Sequence, residues 1–450
     1  MPTVNRKYWF RSGSYTLLTN MQTLLFGFGS FYLLVRLLDK HSFGIWSLFV
    51  VTTTIFDMAR SGLIQNSLIK FLSHSEDKEK HDILSASFFL SGVLMIACII
   101  INVSMANYLA NLYHYQELVM MFYAYNIVYL LQGVLSQFQW IEQANLSFKG
   151  IFISNSLKQG GFFFYVLSCY VFHLPTSLMH LIYVQAICAF AGAIAEYFFV
   201  KKFLFFSFKV KKFWVKKLFN YGKFVFGTSI SSILANTINV MMLGALLSAD
   251  AAGVFNVASR IANLVDIPTI ALATIVFPQS AKRFVSEGHQ AIKYLYEKSV
   301  GTILAVLIPC LLFLILFPNF TVHIIAGGRY ADSIPVVRLI ALACIFNPFG
   351  LLFGTILDSI GKPKVNFVIL VLFTILKLTL NFTMIKGYGI MGAVYATLIA
   401  DAIMFIAQVI ILKKELAVNM FNTLIYAARF YPEFLRVYKE FFRKETSQNL

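Results

Sequence analysis

Asp57 and Arg60 stand three residues apart where the apolar run FGIWSLFVVTTTIFDMARSG (43–62) gives way to charge. On a helix that spacing puts both side chains on one face, so each partly neutralises the other where the dielectric is low. Such a pair can serve as a structural lock or as a gate. Five more charges lie deeper in apolar stretches: Lys158, Arg260, Asp266, Lys377 and Asp401. A charge facing lipid costs at least about 2.5–3.5 kcal/mol even on the lenient insertion scale, so these side chains are expected to line a wet cavity. Arg60, Lys158, Arg260 and Lys377 would give that cavity cations, and cations suit an anionic ligand. Asp57, Asp266 and Asp401 are the candidates for gating or ion coupling. Asp266 precedes Ile267 and Pro268 and has no cation within four residues. It can take up a proton or cation during a cycle, or it can satisfy backbone groups that Pro268 frees.

Other intramembrane charges have a plainer reading. Arg36, Lys223, Arg338, Glu196 and Asp358 lie near the ends of apolar runs, where long side chains snorkel to headgroups and polar groups cap helices. Arg60 lies roughly 25 Å along its helix and is also within reach of cytoplasmic water.

The elements that position these residues follow from composition. Of 450 residues, 59% are hydrophobic and 13% charged, and the mean hydropathy is +0.74. An ordinary soluble domain carries about 25% charged residues. Apolar stretches long enough to cross a hydrocarbon core of about 30 Å recur along the whole length. They predict an all-α polytopic membrane protein with twelve spans, near 14–38, 43–70, 84–108, 118–140, 150–172, 177–200, 219–247, 252–280, 299–318, 334–358, 365–385 and 389–412. The segments on the N-terminal side of the membrane hold 27 of the 37 basic residues, and the opposite loops hold only Lys40, Arg329 and Lys386. The positive-inside rule then places both termini in the cytoplasm.

Several functions are disfavoured. The five cysteines sit singly in apolar runs and read as small buried hydrophobes, with no Cys/His metal spacing. No HExxH, Walker or dinucleotide glycine pattern occurs, so neither metal nor nucleotide cofactor is expected, and the chain is not read as an enzyme. The net charge of +17 suggests nucleic acid, but KKFLFFSFKVKKFWVKK (201–217) joins two spans on the cytoplasmic side, where Lys beside Phe and Trp suits anionic lipid headgroups. Residues 1–13 lack the apolar core of a cleaved signal peptide, so the first span is expected to act as the insertion signal.

A shift of 209 residues lays 43–57 over 252–266, matching Gly44 with Gly253 and Asp57 with Asp266. The repeat predicts two six-helix halves around a central cleft, related by an axis along the membrane normal. The expected organisation is an N-terminal bundle (1–200), a basic cytoplasmic linker (201–218), a C-terminal bundle (219–412) and an interfacial amphipathic tail (413–450).

With those spans in place, DKHSFGIWSL (39–48) and GGRYADSIPVVRLIALACIFNPFGLLFGTILDSIGKPK (327–364) resemble the polysaccharide biosynthesis flippases of the Wzx type, in the multidrug/oligosaccharidyl-lipid/polysaccharide exporter superfamily. The resemblance implies alternating-access transfer of an undecaprenyl-diphosphate-linked oligosaccharide, of O-antigen or capsule type, from the inner to the outer leaflet of a bacterial cytoplasmic membrane. It implies as partners the lipid-linked glycan, membrane lipids, and a polysaccharide polymerase with other glycan-assembly proteins. Flippases of this superfamily keep arginines in the cleft, and Arg60 and Arg260 are the nearest matches here. The rivals are a cation-coupled multidrug exporter, which commonly carries an acidic residue in the first span where 14–38 has none, and a non-transporting scaffold for glycan assembly.

Overall fold

The computed structural model describes residues 6–73, 75, 77–204, 210–267, 269, 276, 288–360 and 362–432. Their regular structure is all helical, and the chain divides into two compact units, Met1–Gly253 and Val254–Leu450. The first unit contains α1 (Arg6–Leu37), α2 (Lys40–Ser73), α3 (Asp77–Tyr113), α4 (Glu117–Ala144), α5 (Lys149–Asn155), α6 (Gly161–Val171), α7 (Leu178–Val200) and α8 (Lys212–Leu246). Helix α9 (Ala249–Asn263) spans the division, and α10 (His289–Leu316), α11 (Pro318–Ala326), α12 (Ser333–Ala343), α13 (Asn347–Ser359) and α14 (Pro363–Leu416) follow.

Nine helices among the described residues are long and apolar enough to cross a membrane, where twelve spans are expected. Three places account for the difference. The run 150–172 is broken by a π-helical turn, Ser156–Gly160, into α5 and α6. Most of 268–280, including Pro268, lies outside the described residues. The last two expected spans run together as α14, whose 54 residues would reach roughly 80 Å if straight, far beyond one membrane thickness. Gly389 breaks that run with φ 58° and ψ −138°, a conformation that costs glycine little and other residues much.

In lipid the hydrophobic effect does not press helices together, so close backbone approach and interhelical hydrogen bonds must do so. The α2–α8 pair shows this. A Cβ on Gly222 would collide with the Leu63 carbonyl, one on Gly244 with the Leu48 side chain, and one on Gly62 would lie 3.1 Å from Ser229. At the α9 end of the same surface, Gly44 abuts the Ala249 carbonyl, and a Cβ on Gly253 would lie 3.1 Å from the Gly44 Cα. Gly44 and Gly253 are separated by 209 positions, the offset of the expected repeat. So are His41 and Asp250, whose Nδ1 and Oδ1 lie 3.3 Å apart.

Asp39 starts α2. Its Oδ1 accepts from the backbone N–H of His41 and Ser42, each at 2.9 Å, and its Oδ2 accepts from the Ser42 hydroxyl at 2.7 Å. These bonds, led by the Ser42 hydroxyl, hold the Asp39 carboxyl below its ordinary value. A depressed carboxylate contributes stability above its unfolded value of about 3.9 and loses it as pH falls through the folded value. Asp39→Ala is therefore expected to lower stability by about 1 kcal/mol at neutral pH, with the gap from wild type closing in acid, as read by thermal melts.

In the second unit, Glu297 of α10 accepts from the Asn419 backbone N–H (2.7 Å) and from Asn422 Nδ2 (2.8 Å), fixing the start of a helix over residues 420–432. Tyr431 donates to the Ala305 carbonyl at 2.6 Å, while Phe421, Leu424 and Ile425 point outward. The rest of the expected tail, with Arg436, Lys439, Arg443 and Lys444, lies outside the described residues, as do 205–209 of the basic linker and Gly361 of the Gly-Lys-Pro-Lys turn.

Candidate functional site

The intramembrane charges form two clusters, one in each unit. In the first, Arg60 Nη2 donates to Asp57 Oδ1 at 3.1 Å, as their spacing on one helical face predicts. The Arg60 side chain is only 3% exposed, against 29% for Asp57. It therefore turns inward rather than reaching cytoplasmic water. Its Nη2 also lies 3.4 Å from the Ser136 hydroxyl of α4, and its guanidinium carbon lies 5.7 Å from the Trp140 ring centre. Gly133 of α4 packs beside it, where a Cβ would strike the Met95 sulfur at 2.8 Å and meet Nη1 at 3.7 Å, an ordinary contact distance. Nε and Nη1 have no acceptor among the described residues. Buried donors left unmade cost about 1–3 kcal/mol each, so the fork is suited to an incoming acceptor.

Lys158 joins this pair through the π turn. An inserted residue there re-aims the following side chains, a geometry frequent at functional sites. Lys158 is partly buried and within electrostatic reach of both Asp57 and Arg60. The turn is tied to α1, where Ser156 donates to Gln22 at 2.5 Å and Gln159 to Thr23 at 3.2 Å. Tyr125 and Tyr129 of α4 add an edge-to-face ring pair 4.7 Å apart, both within reach of Asp57. The first cluster thus offers two cations, one carboxylate and aromatic hydroxyls, a set suited to a phosphate-bearing ligand.

The second cluster is mainly acidic. Asn347 Nδ2 donates to Asp266 Oδ2 at 2.8 Å, and the other Asp266 oxygen has no donor among the described residues. Cys344 lies within electrostatic reach of both Asp266 and Asp401. Lys377, 7% exposed, lies within reach of Asp401 from an earlier part of α14 and against the Phe373 ring. Arg260 is exposed on α9, six residues before Asp266.

Of the seven site residues expected from sequence, Asp57, Arg60 and Lys158 come together, Lys377 lies within reach of Asp401, and Asp266 shares the neighbour Cys344 with Asp401. Several residues near the expected span ends make hydrogen bonds within the chain. Arg338 donates to the Ile315 carbonyl, Lys223 to Asn220, and Asp358 accepts from Asn366. Glu196 is fully buried, and its carboxyl oxygens accept no hydrogen bond among the described residues. Asn347, Trp140 and the tyrosine pair were not singled out in the sequence. Asn347, in CIFNPFG, was open to notice as an amide inside an apolar stretch.

Residues 10–284 match the family model described as polysaccharide biosynthesis protein. The lipopolysaccharide biosynthesis protein WzxC of Escherichia coli (strain K12) is 22% identical over 342 residues, covering 74% of this chain and 66% of WzxC. Among solved structures, an inward-facing multidrug resistance transporter of the MATE family, in the MOP superfamily, superposes with a TM-score of 0.73 at 14% identity, covering 90% of this chain and 99% of its own. The lipid II flippase MurJ in an inward closed conformation also gives 0.73, at 13% identity over 95% and 92% of the two chains. The helical fold is thus shared by a drug transporter and a lipid flippase.

Proposed function

We propose, from the premise that this chain belongs to the polysaccharide biosynthesis protein family, that it is a flippase moving an undecaprenyl-diphosphate-linked oligosaccharide from the inner to the outer leaflet of a bacterial cytoplasmic membrane. The observation that carries the reading is the Arg60 fork, buried with two donors unused and with Lys158 beside it. A diphosphate cannot enter hydrocarbon unaided, and a buried and a partly buried cation replace the water around its oxygens. Lys377 and Arg260 serve as further cations along the path. A cation-coupled drug exporter needs the opposite polarity at its binding site, which the first cluster does not favour.

The proposal keeps twelve spans, two six-helix halves working by alternating access, a boundary at the basic linker, and a polymerase among its partners. The meeting of Gly44 with Gly253, and of His41 with Asp250, supports the repeat behind the two halves. Equivalent positions touch each other only on a two-fold axis. With both termini cytoplasmic, a single cysteine at Asn111 or Asp332 should label from outside intact cells, and one at Lys211 should not. The reverse pattern would overturn the topology.

Asp266 is assigned to ion coupling. Asp266→Asn keeps a polar group for Asn347 but removes an ionisable carboxyl, so flipping should lose its dependence on the proton gradient. A gradient response equal to wild type would assign Asp266 a structural role. The ligand itself is tested by binding. Purified protein should bind undecaprenyl diphosphate and not undecaprenol, and Lys158→Ala should weaken the first. Equal binding of both lipids would remove the diphosphate from the account.

A further inference from the structure

Glu142 and Glu196 form a second acidic feature, separate from the two clusters. Glu142, near the end of α4, is 1% exposed and fully engaged. Its Oε1 accepts from the Ser147 hydroxyl (2.6 Å) and the Gly150 N–H (3.1 Å), and its Oε2 from the Ile151 N–H (2.9 Å). Gly150 makes room for it, since a Cβ there would strike the Glu142 carboxylate and come within 2.7 Å of Phe199. Three donors and no backbone clash describe a seat built for a carboxylate.

Glu196 of α7 faces that seat and is 0% exposed. Its carboxyl lies beside the Glu142 carboxyl and the Ser154 hydroxyl. Neither of its oxygens receives a hydrogen bond among the described residues. The Ser154 hydroxyl is already engaged, donating to the Ile151 carbonyl and accepting from Gln139. A second anion here would be buried, undonated and opposed by the first, which is untenable in a protein interior. The remaining charged and titratable groups on α7 and the elements packed against it are Glu117, Tyr123, Tyr125 and Tyr129 on α4, Lys149 on α5, Lys158 on the π turn, Tyr165, Cys169 and Tyr170 on α6, Lys201 and Lys202 beyond α7, and His180, Tyr183, Cys188 and Tyr197 on α7 itself. Lys149 lies over the Phe199 ring and Lys201 over Phe198, and among the described residues Glu142 is the charged group that acts on Glu196.

We propose that the Glu142–Glu196 pair is a binding site for one proton, shared as a carboxylic acid of Glu196 donating to the carboxylate of Glu142, and that this proton ties α7 to α4 and α5. The site is close to the first cluster. Gly192, one helical turn before Glu196, carries the stem of Lys158, with its added Cβ 3.5 Å from Lys158 Cβ. Release of the proton leaves two facing carboxylates, pushes α7 from α5, and disturbs the seat of Lys158. Atoms balance simply: the O–H bond of Glu196 breaks and the proton passes to water.

The test is infrared spectroscopy and thermal melting of the full-length protein in nanodiscs. At neutral pH the wild type should show a protonated-carboxyl band that Glu196→Gln lacks. Glu142→Gln, which faces Glu196 with an amide donor in place of an anion, should lack it too. Either variant therefore suffices if the other fails to fold. Raising the pH should bleach that band and lower the wild-type melting temperature, while Glu196→Gln, a permanent neutral donor, should melt independently of pH over the same range. The proposal is overturned if the band is unchanged in whichever variant folds. It is also overturned if sodium chloride, compared with choline chloride, removes the band and raises the wild-type melting temperature, because the occupant would then be a sodium ion.

Discussion

Replacing Arg60 by alanine should reduce glycan export on the order of 100-fold while the protein still reaches the membrane. Removing one partner of a buried ion pair costs about 3–5 kcal/mol, because the other charge is left uncompensated. Here that charge is Asp57, which receives its 3.1 Å bond from Arg60. Part of the loss would therefore be structural, and a second substitution separates the two parts. Asp57→Asn combined with Arg60→Ala removes the stranded charge and should restore the melting temperature, yet export should remain low because the anion has lost its fork. Arg60→Lys should export at an intermediate level, since an ammonium keeps the charge but loses bidentate geometry. Lys158→Ala should resemble Arg60→Ala in export with less effect on stability, its side chain being only partly buried. Wild-type export by both alanine variants at normal expression would rule out electrostatic capture at this cluster.

The second large effect is expected at the α2–α8 surface. A Cβ at Gly222 would meet the Leu63 carbonyl, a backbone atom that cannot swing aside as a side chain can. Gly222→Val must therefore separate the two helices. Overpacking typically costs 1–3 kcal/mol, and loss of the glycine-lined surface below it adds to this, so a fall of about 3 kcal/mol or more is expected in melts of the purified protein. Gly92 of α3 is the matched control, because a Cβ there meets nothing within 4 Å. Gly92→Ala should be neutral or slightly stabilising. Equal behaviour of the two variants would mean that α2 and α8 do not depend on close backbone approach.

What the sequence disclosed was whatever is local along the chain. Apolar runs marked most of the membrane helices, because a bilayer demands length and hydropathy with little regard to partner. The Asp57–Arg60 pair was legible because three residues on a helix fix a shared face. Lys158 was legible as an intramembrane cation, but its company was not. A π turn inside 150–172 has no periodicity signal strong enough to read, and that turn sets where Lys158 points. Glu142 and Glu196 are 54 positions apart on different helices, so their meeting depends on packing that no local pattern records. The match at an offset of 209 residues was faint, and the contact between Gly44 and Gly253 could not be read from it. Gly389 was unreadable for another cause: nothing in IKGYGIMGA says which glycine takes the positive φ.

The central claim is tested most directly with purified protein in liposomes carrying a fluorescent undecaprenyl-diphosphate-linked sugar, with dithionite quenching to report which leaflet holds the label. The account predicts that wild-type protein moves label across the bilayer, that Arg60→Ala and Lys158→Ala do so far more slowly, and that a lipophilic cationic dye is not transported. Transport of the dye with no movement of the lipid-linked sugar would contradict it.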